Sequence, residues 1–180
     1  MKKLLVTLAI LLGVSGVAHA GIMFEPYLGY ESGKFTNPNG KSDGVNLGAR
    51  LAYKLPVMLW FGLDANIGVS GKMKPDSGSD ADMKRNTFYG VVGVDLPILL
   101  RAWAGYGFSD QFVLDTPYNS TIKGKSFKLG VGFTGLPFVS LNVEYLKSTA
   151  DEITGGTLAN SSPDSKHEAV MVSVSLPFVF

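Results

Sequence analysis

Four Leu-Pro pairs punctuate this chain: Leu55-Pro56, Leu96-Pro97, Leu136-Pro137 and Leu176-Pro177, with the prolines 41, 40 and 40 residues apart. An interval of that length holds a strand, a long connection, a return strand and a short turn. Four such units make eight strands. The last copy runs into Phe178-Val179-Phe180, so the sequence stops at the level of the three short turns.

Strict alternation fills the intervals. Val170, Val172, Val174, Leu176, Phe178 and Phe180 share one face, opposite His167, Ala169, Met171, Ser173 and Ser175. Seven earlier segments repeat the pattern. Leu59, Phe61, Leu63, Ile67 and Val69 oppose Trp60, Asp64, Asn66, Gly68 and Ser70. Leu100, Ala102, Ala104, Tyr106 and Phe108 oppose Arg101, Trp103, Gly105 and Gly107. Each segment is near the ~9–11 residues that cross a bilayer as a tilted strand. The short turns fall at 55–58, 96–99 and 136–138. The other connections read as long polar loops: Gly33–Asp43, Gly71–Lys84, Ser109–Ile122 and Ser148–Lys166. They are rich in turn formers such as Asn-Pro-Asn-Gly. The expected fold is all-β, an eight-stranded antiparallel up-and-down barrel, with residues 21–180 as one domain.

The N-terminus reads separately. Met1-Lys2-Lys3, an apolar run to Val17 and Ala18-His19-Ala20 make a secretory signal peptide over residues 1–20, cleaved after Ala20. Without Lys2 and Lys3 the chain has 14 basic and 15 acidic residues, a net charge of −1. That balance argues against nucleic acid, which needs a clustered basic surface. An exported chain without cysteine has no disulfides to hold it and needs a sizeable core or a membrane.

Alternation does not say which way the apolar face points. A soluble ligand-binding barrel turns it inward; a membrane barrel turns it to lipid. The second face mixes Gly29, Gly48, Gly62, Gly93, Gly105 and Gly130 with Trp60, Trp103 and Tyr27, which suits a cramped interior better than a solvent surface. Aromatic residues on the apolar face, such as Phe24, Tyr30, Tyr53, Phe88 and Phe178, gather where interface girdles belong. Phe24-Glu25-Pro26-Tyr27-Leu28-Gly29-Tyr30, the glycine-dotted strands and the Val172-x-Val174-x-Leu176-x-Phe178-x-Phe180 ending resemble the small bacterial outer-membrane β-barrel family, which includes OmpA- and OmpX-like barrel domains.

The resemblance implies a location in the bacterial outer membrane with both termini periplasmic. It implies outer-membrane lipid and lipopolysaccharide as surroundings, periplasmic chaperones and the barrel-assembly machinery as partners during biogenesis, and a monomer. The assembly signal of that family maps onto Val174, Leu176, Phe178 and Phe180.

The second face, as lumen, carries Glu25, Glu31, Asp64, Asp95 and Glu144 against Arg50, Lys54, Arg101 and Lys128. Buried charges persist when paired, so a packed, salt-bridged interior is expected. A narrow pore or a small-solute transporter is the alternative. For an enzyme, the one candidate is His167 beside Asp164, Ser165 and Glu168, read as a solvated loop cluster. No catalytic residue, metal site or cofactor is expected. The expected role is non-enzymatic, structural or surface-interactive, carried by four long outer loops.

Overall fold

The computed structural model describes residues 20–37, 39–76, 79–115, 120–154 and 165–180. The signal segment and the centres of the polar stretches, among them 77–78, 116–119 and 155–164, lie outside these.

The strands are β1 (Gly21–Thr36), β2 (Gly40–Lys54), β3 (Leu59–Pro75), β4 (Ala81–Leu96), β5 (Leu100–Asp115), β6 (Ser120–Phe133), β7 (Ser140–Thr154), β8 (Lys166–Ser175) and β9 (Phe178–Val179). Within β1 to β8 each strand pairs antiparallel with its sequence neighbours, and β1 pairs both β2 and β8, which closes the sheet. β9 is β8 resumed after Leu176-Pro177: Met23 faces Val179 and Phe24 faces Phe178. Pro177 has no N–H for the ladder. The pairing is re-established by Leu176 N to Pro26 O at 3.0 Å and Phe180 N to Ile22 O at 2.9 Å. The barrel therefore has eight staves.

The apolar face is the outside. Leu63, Leu47, Val92, Val131, Val143 and Val172 are about half exposed, while Trp60 and Tyr89 have no exposure at all. An upper ring of Tyr30, Phe88, Tyr106, Phe127 and Tyr145 and a lower ring of Phe24, Tyr53, Phe61, Phe133 and Phe178 border this belt. The interior is tight. A Cβ on Gly93 would overlap the Trp60 ring, and one on Gly130 the Trp103 ring.

The three short turns carry a residue in the left-handed region: Met58 (φ 63°), Leu99 (φ 60°) and Phe138 (φ 64°). Pro56 and Pro97 stand two residues before theirs and Pro137 one before. The turns are tied sideways, because Asp95 N donates to Met58 O at 2.9 Å and Thr134 N to Leu99 O at 2.8 Å.

The long-loop expectation is corrected for three of the four stretches; in the fourth, Ser148–Lys166, residues 155–164 lie outside the described residues. The strands run on through most of the polar stretches, so β1 to β7 have 14–17 residues rather than 9–11. Inward alternation continues there with Phe35, Met73, Met83, Phe112 and Ile122. The polarity belongs to the outward positions, which face water instead of lipid. Bulges also shift the faces. Between Asn46–Gly68 and Val45–Ser70 the pairing passes over Val69. Ser70, expected inside, is exposed as a result. A second bulge, at Phe108, lies between Tyr89–Gly107 and Phe88–Ser109.

Candidate functional site

Eight of the nine expected lumen charges form one continuous chain. Arg50, 1% exposed, is its hub. It donates to Glu25 Oε2 (3.1 Å), Asp64 Oδ2 (3.0 Å) and Glu144 Oε1 (3.0 Å). Trp103 lies against the guanidinium, 4.4 Å from its carbon to a ring centroid. Lys128 Nζ bridges Asp64 Oδ2 (2.8 Å) and Glu144 Oε2 (3.3 Å), and sits 4.3 Å from the Tyr89 ring centroid. Tyr27 Oη donates to Asp64 at 2.8 Å and Ser175 Oγ to Glu25 at 2.6 Å.

The chain continues toward the short turns. Arg101 joins Glu25 (2.8 Å) to Asp95 (2.6 Å), and Lys54 caps Asp95 at 2.5 Å. Four cations meet four carboxylates, so the group is neutral. Each buried carboxylate is met by more than one donor, the condition under which buried charge is tolerable. The residues come from β1, β2, β3, β4, β5, β6 and β7. Inward alternation delivers one or two from each of these seven.

A second cluster lies nearer the far end. Arg85 donates to Glu31 Oε1 (3.0 Å), to both Asp110 oxygens (3.0 Å each) and to Ser148 Oγ (2.7 Å). Thr87 and Ser148 also donate to Asp110, and Asn46 to Glu31. Glu31 was expected inside; Arg85 and Asp110 were not, because both fall in or beside stretches read as loops. Met83-x-Arg85-x-Thr87-x-Tyr89 extends the β4 alternation and was the signal for Arg85. No such signal exists for Asp110, since the bulge at Phe108 reverses the faces beyond it.

The solvated-loop reading of His167 is overturned. The ring is 1% exposed, 4.3 Å from the Phe35 ring and 5.2 Å from Phe112 by centroids. Its Nε2 shares a 2.8 Å hydrogen bond with Ser42 Oγ and lies 3.9 Å from Glu31. His167 is the first inward residue of β8, and the extended β1 and β5 enclose it. Above it Phe35, Met73, Met83, Phe112, Leu114, Ile122 and Ala150 form an apolar plug. Cavities beside the upper cluster hold about 10 Å³ each, room for about one water. Among the described residues no group of three or more His, Asp or Glu has metal-site geometry.

Val174, Leu176, Phe178 and Phe180 all point outward and are exposed, Phe180 at 81%. They line the seam where β1 closes on β8 and β9.

No family model matches the chain, and no curated protein matches it in sequence. Solved structures match its fold. Ail of Yersinia pestis, the attachment invasion locus protein, in complex with the heparin analogue sucrose octasulfate, superposes with a TM-score of 0.61 at 14% identity, over 89% of this chain and 100% of that one. Neisserial surface protein A gives 0.55 at 14% identity, over 87% and 97%. OprG from Pseudomonas aeruginosa gives 0.51 at 12%, over 91% and 98%. The fold is that of the small eight-stranded outer-membrane barrels.

Proposed function

We propose that the chain is a non-enzymatic barrel of the bacterial outer membrane that acts through its outer surface rather than through its lumen. The observation that carries this is the pairing of a half-exposed apolar belt with a neutral, fully engaged charge network inside. A belt of that kind needs lipid. A lumen filled by two tryptophans, two charge clusters and an apolar plug offers solute no path among the described residues.

In this reading residues 1–20 are removed on export and both termini face the periplasm. The long ends of the staves project outward. The exposed aromatic and aliphatic edge at Val174, Leu176, Phe178 and Phe180 supplies the recognition signal for barrel assembly. Surface contact is the remaining work, and the extended strand ends suit it.

Fractionation with a heat-modifiability gel tests the location. The protein is expected in the detergent-soluble outer-membrane fraction, with a folded band that shifts on boiling; recovery as an aqueous periplasmic protein overturns the reading. Planar-bilayer recording tests the closed lumen. Steady single-channel current from the wild-type protein would replace the surface role with a pore.

A further inference from the structure

Both charge clusters pass over one stave. The lower network draws its charges from β1 to β7. The upper one uses Glu31 of β1, Asn46 of β2, Arg85 and Thr87 of β4, Asp110 of β5 and Ser148 of β7. β8 supplies no carboxylate, lysine or arginine to either. Its inward residues are His167, Ala169, Met171, Ser173 and Ser175, all buried. β8 is also the shortest stave, 10 residues against 14–17 for the others. Leu176-Pro177 interrupts its ladder near the base.

Each of β1 to β7 would leave a buried charge without its counter-charge if it were withdrawn, the costly way to break a buried pair. β8 would not. Its withdrawal breaks the hydrogen bonds from Ser175 Oγ to Glu25 (2.6 Å) and from Asn142 to Ser173 (3.3 Å) and Ser175 (2.9 Å). It also breaks the bond between His167 Nε2 and Ser42 Oγ (2.8 Å). Glu25 keeps Arg50 and Arg101, and Glu31, 3.9 Å from the His167 ring, keeps Arg85. The ion pair of Glu168 with Lys147, at 2.9 Å, stands half-exposed on the exterior, where such pairs contribute little.

The strands that flank β8 are tied to each other without it. Arg50 of β2 holds Glu25 of β1 at 3.1 Å and Glu144 of β7 at 3.0 Å. Higher up, Arg85 of β4 holds Glu31 of β1 at 3.0 Å and Ser148 of β7 at 2.7 Å. Two ties at two heights therefore span the lumen behind β8.

We propose that β8 is a detachable stave, the one strand that leaves and re-enters the wall as a unit while β1 to β7 keep their curvature. The bared edges of β1 and β7 find no hydrogen bonds in hydrocarbon, so the open form is a minor state that closes again. The slot it leaves is cut for one strand, with small neutral residues inward and Val170, Val172 and Val174 outward.

Amide hydrogen exchange of the full folded barrel in phosphatidylcholine nanodiscs, followed residue by residue by NMR, tests this. Positions within the belt are compared, so that fraying of strand ends does not enter. Met171–Val174 of β8 are expected to exchange at least about tenfold faster than Ala102–Gly105 of β5, through an opening smaller than global unfolding. Equal rates for the two stretches overturn the proposal. Tyr30 faces Val172 across the seam, and the chain has no cysteine of its own. Oxidised Tyr30→Cys/Val172→Cys is therefore expected to slow Met171–Val174 to the rate of β5, and reduction to restore the faster rate. Exchange as fast in the oxidised form as in the reduced one overturns detachment. In Arg50→Met the lower tie is cut, and Val143–Leu146 of β7 are expected to exchange along with β8. A β7 that stays as slow as in wild type overturns the part given to the tie.

Discussion

Glu25 and Arg50 meet at 3.1 Å with 0% and 1% of their side chains exposed, and the same Glu25 oxygen also accepts from Arg101 at 2.8 Å. One carboxylate thereby links the hub of the network to its arm.

Arg50→Met removes the shared counter-charge of Glu25, Asp64 and Glu144. Breaking a buried pair costs about 3–5 kcal/mol, chiefly through the charge left behind. Arg101→Met leaves Glu25 with Arg50 and the quarter-exposed Asp95 with Lys54, so its cost is smaller, roughly 1–3 kcal/mol. Urea unfolding in lipid vesicles is expected to rank wild type above Arg101→Met above Arg50→Met, with all three inserting. A reversed order overturns the hub assignment.

Gly130→Ala drives a methyl group into the Trp103 ring. Overpacking of this kind costs about 1–3 kcal/mol. The double variant Gly130→Ala/Trp103→Phe is expected to recover part of that loss, which a double-mutant cycle on melting temperatures reads as a coupling. Simple additivity of the two changes would mean the ring is not what the glycine accommodates.

Leu99 holds φ 60° in a turn. A left-handed conformation costs a non-glycine residue about 1–2 kcal/mol, and a β-branched one more. Leu99→Gly should leave stability unchanged or raise it by up to about 1 kcal/mol after the entropy of the added glycine. Leu99→Val should lower it. Guanidinium or urea midpoints in the same vesicles decide, and a less stable glycine variant would show that the leucine side chain itself holds the turn.

Phe180→Ser leaves the backbone bonds between Phe180 and Ile22 available, because both use main-chain atoms. Purified and refolded, this variant is expected to melt within a few degrees of wild type. In cells it is expected to assemble more slowly, followed as the rate at which the heat-modifiable band appears after a pulse label. Normal assembly kinetics would count against a signalling role for the terminal ring.

The alternation made the eight staves, their lipid-facing belt and all eight residues of the lower network legible, because the period of two is unbroken where those eight residues stand. Legibility ended where composition and geometry parted. The polar run from Gly71 to Lys84 read as loop, yet Lys72 and Lys74 are outward strand residues and Met73 and Met83 kept the inward beat. Bulges did the rest. One extra residue at Phe108 put Asp110 on a face that counting by twos assigns to lipid, and a bulge leaves no mark in composition. His167 was seen on the correct face. Its burial depends on Phe35 and Phe112, which the loop reading had removed from the walls.

Strands of up to 17 residues are about 55 Å long at ~3.3 Å per residue, against an apolar band of ~25 Å crossed at a tilt. The barrel is thus a set of pillars taller than the layer they stand in. Among the described residues, the far end is masonry rather than rope. The described strand ends have a hydrogen-bonded backbone with little freedom to surrender on contact, so their share of any recognition starts from a surface already in its final shape.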